Sequence, residues 1–525
     1  MSVAEGSRSM SVADMLRGPA ASKPDGLAID GDGRPITFGE LDATSNRVAN
    51  AMIASGVDRG DRVVFLDRNS TEYWETFQGA LKAGAVLVPL NFRLSPAELA
   101  WAIDDSDAAL VVAGSAYLDG LDTGGRPLVV LGEPSVVPDG AVRWDDWLAG
   151  AQTSDPRRDA VGGEYIELIY SSGTTGRPKG VLVSAEQQVW SVAAFGSCFD
   201  VDADSRSLVP VPYYHVAGGG WALITLSRGG TVIQSREPTA ESMLRQLIEF
   251  RATHTAMVPA VMQVLTQSPE AAAADFSALR QLVYGGSPIS EPLLRASVTT
   301  FGVELFQSYG LSETMGVTTL LGPDQHRLDS DLSRLRSAGR AVPGIELDIL
   351  DPVTGKSLPV GETGEIVVRG PSVFPGYWRR PEATAEAFTP DGFFRTGDMG
   401  RLDDEGFLFI RDRMKDMIIS GGENVYPAEV ESVLAGHPAV ADVAVIGVPS
   451  DRWGETPLAF VVTRPGSSGE VSAAEIIDYS RGLLAHYKCP TDVRFVSELP
   501  RNPSGKILKR ELREPFWVGR DRSVG

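Results

Sequence analysis

The sequence predicts an α/β protein in three parts: a large N-terminal domain of layered α/β sheets, a β-rich subdomain at its end, and a small C-terminal α+β domain. Three observations carry this. From about residue 62 to residue 306, short apolar runs alternate with amphipathic stretches. After Gly339 the pattern changes to alternating segments separated by turn residues. Beyond residues 413–416 the chain restarts with its own helix and strand signals. The first pattern is that of α/β layers with largely parallel sheets.

Taken in order, the runs at 63–66, 85–90, 109–112, 231–234, 281–284 and 303–307 are too short for helices and read as buried strands. Helices are expected at 72–82, 241–250 and 291–301. The segments 344–350, 364–369 and 406–411 alternate between turn residues such as Asp351, Pro352, Gly361 and Gly370, which suggests a smaller antiparallel unit at about 339–412. The N-terminal domain is assigned to 1–413 and the C-terminal domain to 414–525. The latter should hold a helix at 427–435, strands at 440–447 and 457–463, a helix at 473–484 and a strand at 491–496. It is long enough to fold alone. The tail at 516–525 reads as polar and mobile, despite Phe516 and Trp517.

At 525 residues the chain exceeds one ordinary core. No apolar run is long enough to cross a bilayer. Residues 1–20 carry Glu5 and Asp14 and lack the apolar centre of a secretory signal. Cys198 and Cys489 are too few for a disulfide framework or a Cys-rich zinc site, and they fit a cytoplasmic protein. The net charge of −21 argues against nucleic acid, whose binding rests on Lys and Arg contacts to phosphate. Oligomeric state is not readable, and a homodimer stays open.

The most informative segment is Tyr170-Ser171-Ser172-Gly173-Thr174-Thr175-Gly176-Arg177-Pro178-Lys179-Gly180-Val181, after the apolar run 165–170. Gly173 and Gly176 let backbone N–H groups approach an anion. The hydroxyls of Ser171, Ser172, Thr174 and Thr175 can donate to phosphate oxygens, and Lys179 adds a positive charge. Such a loop suits a polyphosphate. It is not a Walker loop, because Pro178 precedes the lysine and Gly180 follows it. The segment resembles the phosphate-binding signature of the adenylate-forming superfamily, which contains acyl-CoA synthetases, luciferases and the adenylation domains of peptide synthetases. That resemblance implies joining a carboxylate to AMP with release of pyrophosphate.

Further motifs follow in the family's order and cover nearly the whole chain. In Gln307-Ser308-Tyr309-Gly310-Leu311-Ser312-Glu313-Thr314, a carboxylate near a triphosphate is a natural Mg²⁺ partner, since Mg²⁺ takes hard oxygen ligands shared with phosphates. By resemblance, Tyr309 stacks on adenine, Glu313 and Thr175 attend the metal, and Thr314 contacts the α-phosphate. Tyr284-Gly285-Gly286-Ser287-Pro288 resembles the loop lining the adenine pocket. Phe394-Arg395-Thr396-Gly397-Asp398 resembles the segment whose aspartate accepts the two ribose hydroxyls, a charge-assisted pair. The resemblance also places Arg413 at the ribose and a hinge at Lys415, making the C-terminal domain mobile.

Gly421-Gly422 can present a narrow backbone surface to the pantetheine arm of CoA. Lys506, in Pro500-Arg501-Asn502-Pro503-Ser504-Gly505-Lys506-Ile507, is by resemblance the cation that neutralises charge as the acyl-adenylate forms. Lys509 reads as a plain surface lysine. His215 lies in Pro210-Val211-Pro212-Tyr213-Tyr214-His215-Val216-Ala217-Gly218-Gly219-Gly220-Trp221 and resembles the aromatic gate between carboxylate and thiol channel. No aspartate lies between Val209 and Leu226 to pair with an ammonium group, which disfavours a free amino acid. An apolar acyl pocket is expected from Gly218, Gly219, Trp221, Val261 and Met315.

The expected enzyme is therefore a carboxylic acid–CoA ligase using ATP, Mg²⁺ and CoA. A medium- or long-chain fatty acid is the first choice, and an aryl acid of coumarate or benzoate type the alternative. Delivery of the acyl group to a carrier protein, and a nucleotide-binding protein without catalysis, are the competing readings.

Overall fold

The computed structural model describes residues 10–134, 136–171, 178–286, 289, 291–327, 332–421, 423–450, 452–464, 471–501 and 507–518. Its strands form four sheets. In the nine-stranded sheet, Leu27–Gly31, Thr231–Gln234, Arg206–Val209, His254–Met257, Gln281–Gly285 and Glu304–Tyr309 run parallel. Short antiparallel strands, Ile36–Thr37 at one side and Thr319–Leu321 with Arg340–Ala341 at the other, finish it. The seven-stranded sheet is parallel from Val142–Arg143 through Leu128–Leu131, Ala108–Gly114, Arg62–Leu66 and Val86–Pro89 to Tyr165–Ser171. It then ends in the antiparallel strand Lys179–Ser184. The α/β class read from the alternation is the one observed.

The helix Thr71–Ala83 shows how local signals and burial combine. Ser70 Oγ accepts from the Tyr73 N–H, and Gly84 ends the helix in the left-handed region at φ 76°. All of its residues except Glu72 are buried, polar ones included. Burying Lys82 is tolerable because its ammonium meets Asp42 Oδ1 at 2.7 Å, Ser45 Oγ at 2.8 Å and Asn46 Oδ1 at 2.7 Å. Those partners lie on Phe38–Ala54, so the lysine pins the two helices together. The N-terminal helix Val12–Ser22 opens on a capping box of Ser11 and Asp14 and buries Val12, Ala13 and Leu16.

The antiparallel four-stranded sheet runs Glu346–Leu350, Gly364–Arg369, Phe394–Leu402, Leu408–Arg413. Its third strand escapes the sequence reading because Thr396-Gly397-Asp398 look like a turn. The last sheet carries Val440–Ser450, Gly454–Thr463 and Asp492–Phe495, with Pro427–Leu434 and Ala473–Arg481 packed on it. The hairpin Ile418–Ser420 and Glu423–Val425 adds two strands where only a loop is expected. Two expectations need correction here. Phe516 packs on Phe460 with ring centroids 6.4 Å apart, and Trp517 Nε1 donates to Gly447 O at 3.0 Å, so the tail is docked through Trp517. Lys509 is not a surface lysine, since its side chain is only 14% exposed and is ion-paired with Glu431. Among the described residues, no helix is long and apolar enough to cross a membrane.

One buried acid sets a pH dependence. Glu167, in the strand Tyr165–Ser171, is 6% exposed, and burial pushes its carboxyl up to about 8, the Tyr73 hydroxyl offsetting only part of that. A carboxyl with a raised folded pKa contributes most below its unfolded value of 4.5 and loses that contribution as pH rises through 8. Glu167→Gln should therefore flatten the fall in melting temperature between about pH 5 and pH 8, gaining roughly 2 kcal/mol at the upper end. Thermal melts at both pH values check this. Parallel pH profiles would place the carboxylate in a better-solvated setting than its burial implies.

Candidate active site

Several sequence-predicted site residues lie at the carboxyl ends of parallel strands, where open α/β sheets leave a crevice for ligands. Tyr309 ends the strand Glu304–Tyr309, Gly285 and Gly286 end its neighbour, and the turn leading to His215 follows Arg206–Val209. Close packing explains two of the glycines. A Cβ on Gly310 would lie 2.3 Å from the Gly316 carbonyl carbon, and one on Gly285 would lie 2.4 Å from Ser308 O.

One contact ties this crevice to the four-stranded sheet, and a second ties Glu313 to the segment after the strand Gly364–Arg369. Tyr309 Oη donates to Asp398 Oδ2 at 2.8 Å, and Arg413 Nε lies 3.5 Å from Asp398 Oδ1. Asp398 and Arg413 are direct cross-strand partners, which explains how residues from separate motifs meet. Burial, followed by the Asp398 charge, holds the Tyr309 hydroxyl well above its ordinary value, so it stays a donor. The second contact was not foreseen. Tyr377 Oη donates to Glu313 Oε1 at 2.9 Å, and the Lys179 ammonium sits over the Tyr377 ring at 4.8 Å. The only sequence signal for Tyr377 is its place in the aromatic and glycine run Phe374-Pro375-Gly376-Tyr377-Trp378.

Other predicted residues are placed as follows. Ser171 Oγ donates to Lys179 O at 3.3 Å across the hairpin. Gln307 Oε1 accepts from Tyr284 Oη at 3.3 Å, and Ser308 Oγ donates to Gly316 O at 3.1 Å. Thr314 is fully buried. Its hydroxyl accepts from the Leu311 N–H and from Thr318 Oγ1, both at 3.0 Å, so it is committed inside its own turn. Ser312, half-buried, is the neighbouring hydroxyl on the accessible side. Gly421 has φ 62° and donates to Trp453 O at 2.8 Å, with the Trp453 indole 45% exposed beside it. Ser172, Gly173, Thr174, Thr175, Ser287, Pro288, Gly422 and Lys506 lie outside the described residues.

His215 caps the helix Val216–Ser227, its ring centroid 4.4 Å from that of Tyr214. Its Nε2 is shut from solvent and has no hydrogen-bond partner among the described residues. Burial first, and the Arg93 charge second, lower its pKa to about 4, so the ring is neutral near pH 7. The pocket residues do not all converge. Trp221 and Met315 share one apolar cluster, whereas Val261 packs in another. A Cβ on Gly218 would lie 2.3 Å from Pro212 O, and one on Gly219 would lie 3.2 Å from Tyr213 O, so both glycines serve backbone packing. Gly220 is the one that faces open space. Trp221, Phe199 and Phe306 form an edge-to-face stack in the core, with centroids 5.0 and 5.1 Å apart.

Comparison with known proteins agrees with this geometry. Residues 16–378 match the model of the AMP-binding enzyme family, and residues 429–506 match that of the AMP-binding enzyme C-terminal domain. The chain is 37% identical to the fatty acid–[acyl-carrier-protein] ligase ScoC of Streptomyces coeruleorubidus, over 96% of each chain. It is 39% identical to the long-chain-fatty-acid–CoA ligase FadD13 of Mycobacterium tuberculosis, over 92% of this chain and 93% of that one. The feruloyl-CoA synthase of an Amycolatopsis species is 38% identical, over 95% and 97%. Among solved structures, ATP-bound MatB from Rhodopseudomonas palustris superposes with a TM-score of 0.87 at 33% identity, covering 97% of this chain and 99% of that one. Apo MatB, with the same identity and coverage, gives 0.78. The chain thus belongs to the AMP-binding enzyme family, the adenylate-forming superfamily that its phosphate-loop motif resembles.

Proposed function

We propose that this protein is an ATP-dependent carboxylic acid–CoA ligase working in the cytoplasm, making acyl-CoA by way of an acyl-adenylate. The observation that carries the reading is the joining of Tyr309, Asp398 and Arg413 at the carboxyl end of a parallel sheet, beside Glu313, Tyr377 and Lys179. The first three suit adenine and ribose, with Asp398 accepting vicinal hydroxyls. Lys179 and the hydroxyl-rich motif that precedes it suit the phosphates, and Ser312 is a better-placed hydroxyl for the α-phosphate than Thr314.

Glu313 fits a Mg²⁺ role. Its Oε1 is fixed by Tyr377, which leaves Oε2 for a cation. Among the described residues no cluster of three His, Cys, Asp or Glu forms a metal cage, and Mg²⁺ is commonly held by one or two carboxylates plus substrate phosphates. The ion would neutralise phosphate charge during adenylation. Lys506 adds a cation at the carboxylate and α-phosphate. The C-terminal domain, from residue 414, then turns about Lys415 and brings Gly421 and Gly422 to the CoA arm. His215, as a neutral ring with an unused Nε2, gates the acyl carboxylate from the thiol.

For the acid, a fatty acyl group is the first reading, supported by similarity to ScoC and FadD13. The stack of Trp221, Phe199 and Phe306 favours a second, a compact or aryl acid that ends against this wall. A panel of acids scored by AMP release separates the two. Supplying acyl carrier protein in place of CoA tests carrier delivery.

Lys506→Ala should slow adenylation roughly a hundredfold or more, because a delivered cation acts on charge developing in the transition state. Thioester formation from pre-made acyl-adenylate should survive much better, and equal loss in both steps would remove the assignment. Tyr377→Phe should leave the fold intact and cut adenylation about three- to tenfold at low Mg²⁺. High Mg²⁺ should recover most of that, and a Mg²⁺-independent loss would detach Glu313 from the metal. Gly220→Leu should reduce activity on bulky acids far more than on acetate-sized ones, at about 1–3 kcal/mol per methylene of lost space. The KM for ATP should hardly move, whereas a uniform drop across all acids would place the pocket elsewhere.

A further inference from the structure

Half-buried charges meet where the strand Leu408–Arg413 passes into the C-terminal part of the chain. Lys509 Nζ lies 2.8 Å from Glu431 Oε1, with side chains 14% and 18% exposed. Burial works against its charge, yet Glu431, Asp412 and Asp416 together hold the ammonium above the ordinary lysine value. Arg513 Nη1 donates to Asp416 Oδ1 at 3.0 Å and to Lys415 O at 3.3 Å. Asp412 Oδ2 accepts from the Ala428 N–H at 2.8 Å, in the first turn of Pro427–Leu434. An anion at that position also suits the helix N-terminus.

Chain order divides this cluster. Asp416, Ala428, Glu431, Lys509 and Arg513 all follow Lys415, and only Asp412 precedes it. The backbone of Asp412 is paired with Met399 in the four-stranded sheet, beside the Asp398–Arg413 pair. Its side chain, by contrast, reaches across to groups beyond Lys415. We propose that Asp412 is a positioning residue, a latch that holds the C-terminal domain in the arrangement described here through the Ala428 N–H. The inference rests on the two-step reaction and the pivot at Lys415 proposed above.

A turn about Lys415 carries Ala428 and Lys509 away from Asp412. Lys509 keeps Glu431 and Asp416, which move with it, so the cluster is not left uncompensated. Asp412 passes to solvent and gives up a charge-assisted hydrogen bond, among the stronger single contacts a surface-proximal group can make. The latched arrangement resembles ATP-bound MatB more than apo MatB. Removing the latch should therefore disfavour adenylation and spare the CoA step.

The test uses the full-length enzyme and its best acid. Acid-dependent pyrophosphate exchange reads the first step, and acyl-CoA release from pre-made acyl-adenylate reads the second. Asp412→Asn keeps the size and an acceptor for Ala428 but removes the charge, and Asp412→Ala removes both. Adenylation should fall about tenfold in the alanine variant and less in the asparagine variant, with the second step unchanged or faster. Thermal melts should confirm that both variants fold. Equal slowing of both steps, or no change in either, would overturn the latch. A wild-type enzyme that makes acyl-adenylate but no acyl-CoA would instead overturn the ligase reading on which it stands.

Discussion

Asp398 is the point on which the site depends. It sits in a strand of the antiparallel sheet, takes the Tyr309 hydroxyl from the parallel sheet, and lies 3.5 Å from Arg413 on the neighbouring strand. A carboxylate that is only 6% exposed needs such partners, because an unpaired buried charge is costly. The same contacts that make its burial tolerable also align the edge of one sheet with the crevice of another. Glu313 is held in a comparable way, by Tyr377 from the segment that follows Gly364–Arg369. Both acids are thus held by tyrosine hydroxyls from distant parts of the chain.

The charge balance follows from this arrangement. A chain of net charge −21 binds anionic partners only if its local field differs from its overall one. Here the acids of the crevice are tied to Tyr309, Tyr377 and Arg413, and Lys179 is braced over an aromatic ring. Elsewhere, arginines collect the acids. Arg17 binds Asp155 and Asp159 together, while Arg62 joins Asp107 and Arg380 joins Asp105. Much of the negative charge is therefore spent in fixing the layers to one another.

The glycine-rich stretch before Trp221 serves two ends. Gly218 and Gly219 let the start of Val216–Ser227 press against the carbonyls of 211–213, which sets the direction of His215. Gly220 leaves space on the other side. A histidine at that helix start is neutral because burial and Arg93 both oppose its charge.

The α/β class and the family were legible in the sequence, because period, turn residues and motifs are local properties. The parallel strands lie close to where the apolar runs placed them, within the usual uncertainty at element ends. What the sequence could not reveal is which distant groups complete each motif. Tyr377 reaches Glu313, Lys509 is drawn into a half-buried ion cluster, and Thr314 turns inward while Ser312 stays accessible. Val261 and Met315 read as one apolar pocket but fall in separate clusters. Strand Phe394–Leu402 was hidden because its Thr-Gly-Asp run has turn composition, and only pairing with Leu408–Arg413 makes it a strand. The sequence by itself determined the α/β class and the kind of chemistry offered at each motif. Tertiary structure alone decided which carboxylates are held and by which hydroxyls, because those contacts join residues far apart in the chain.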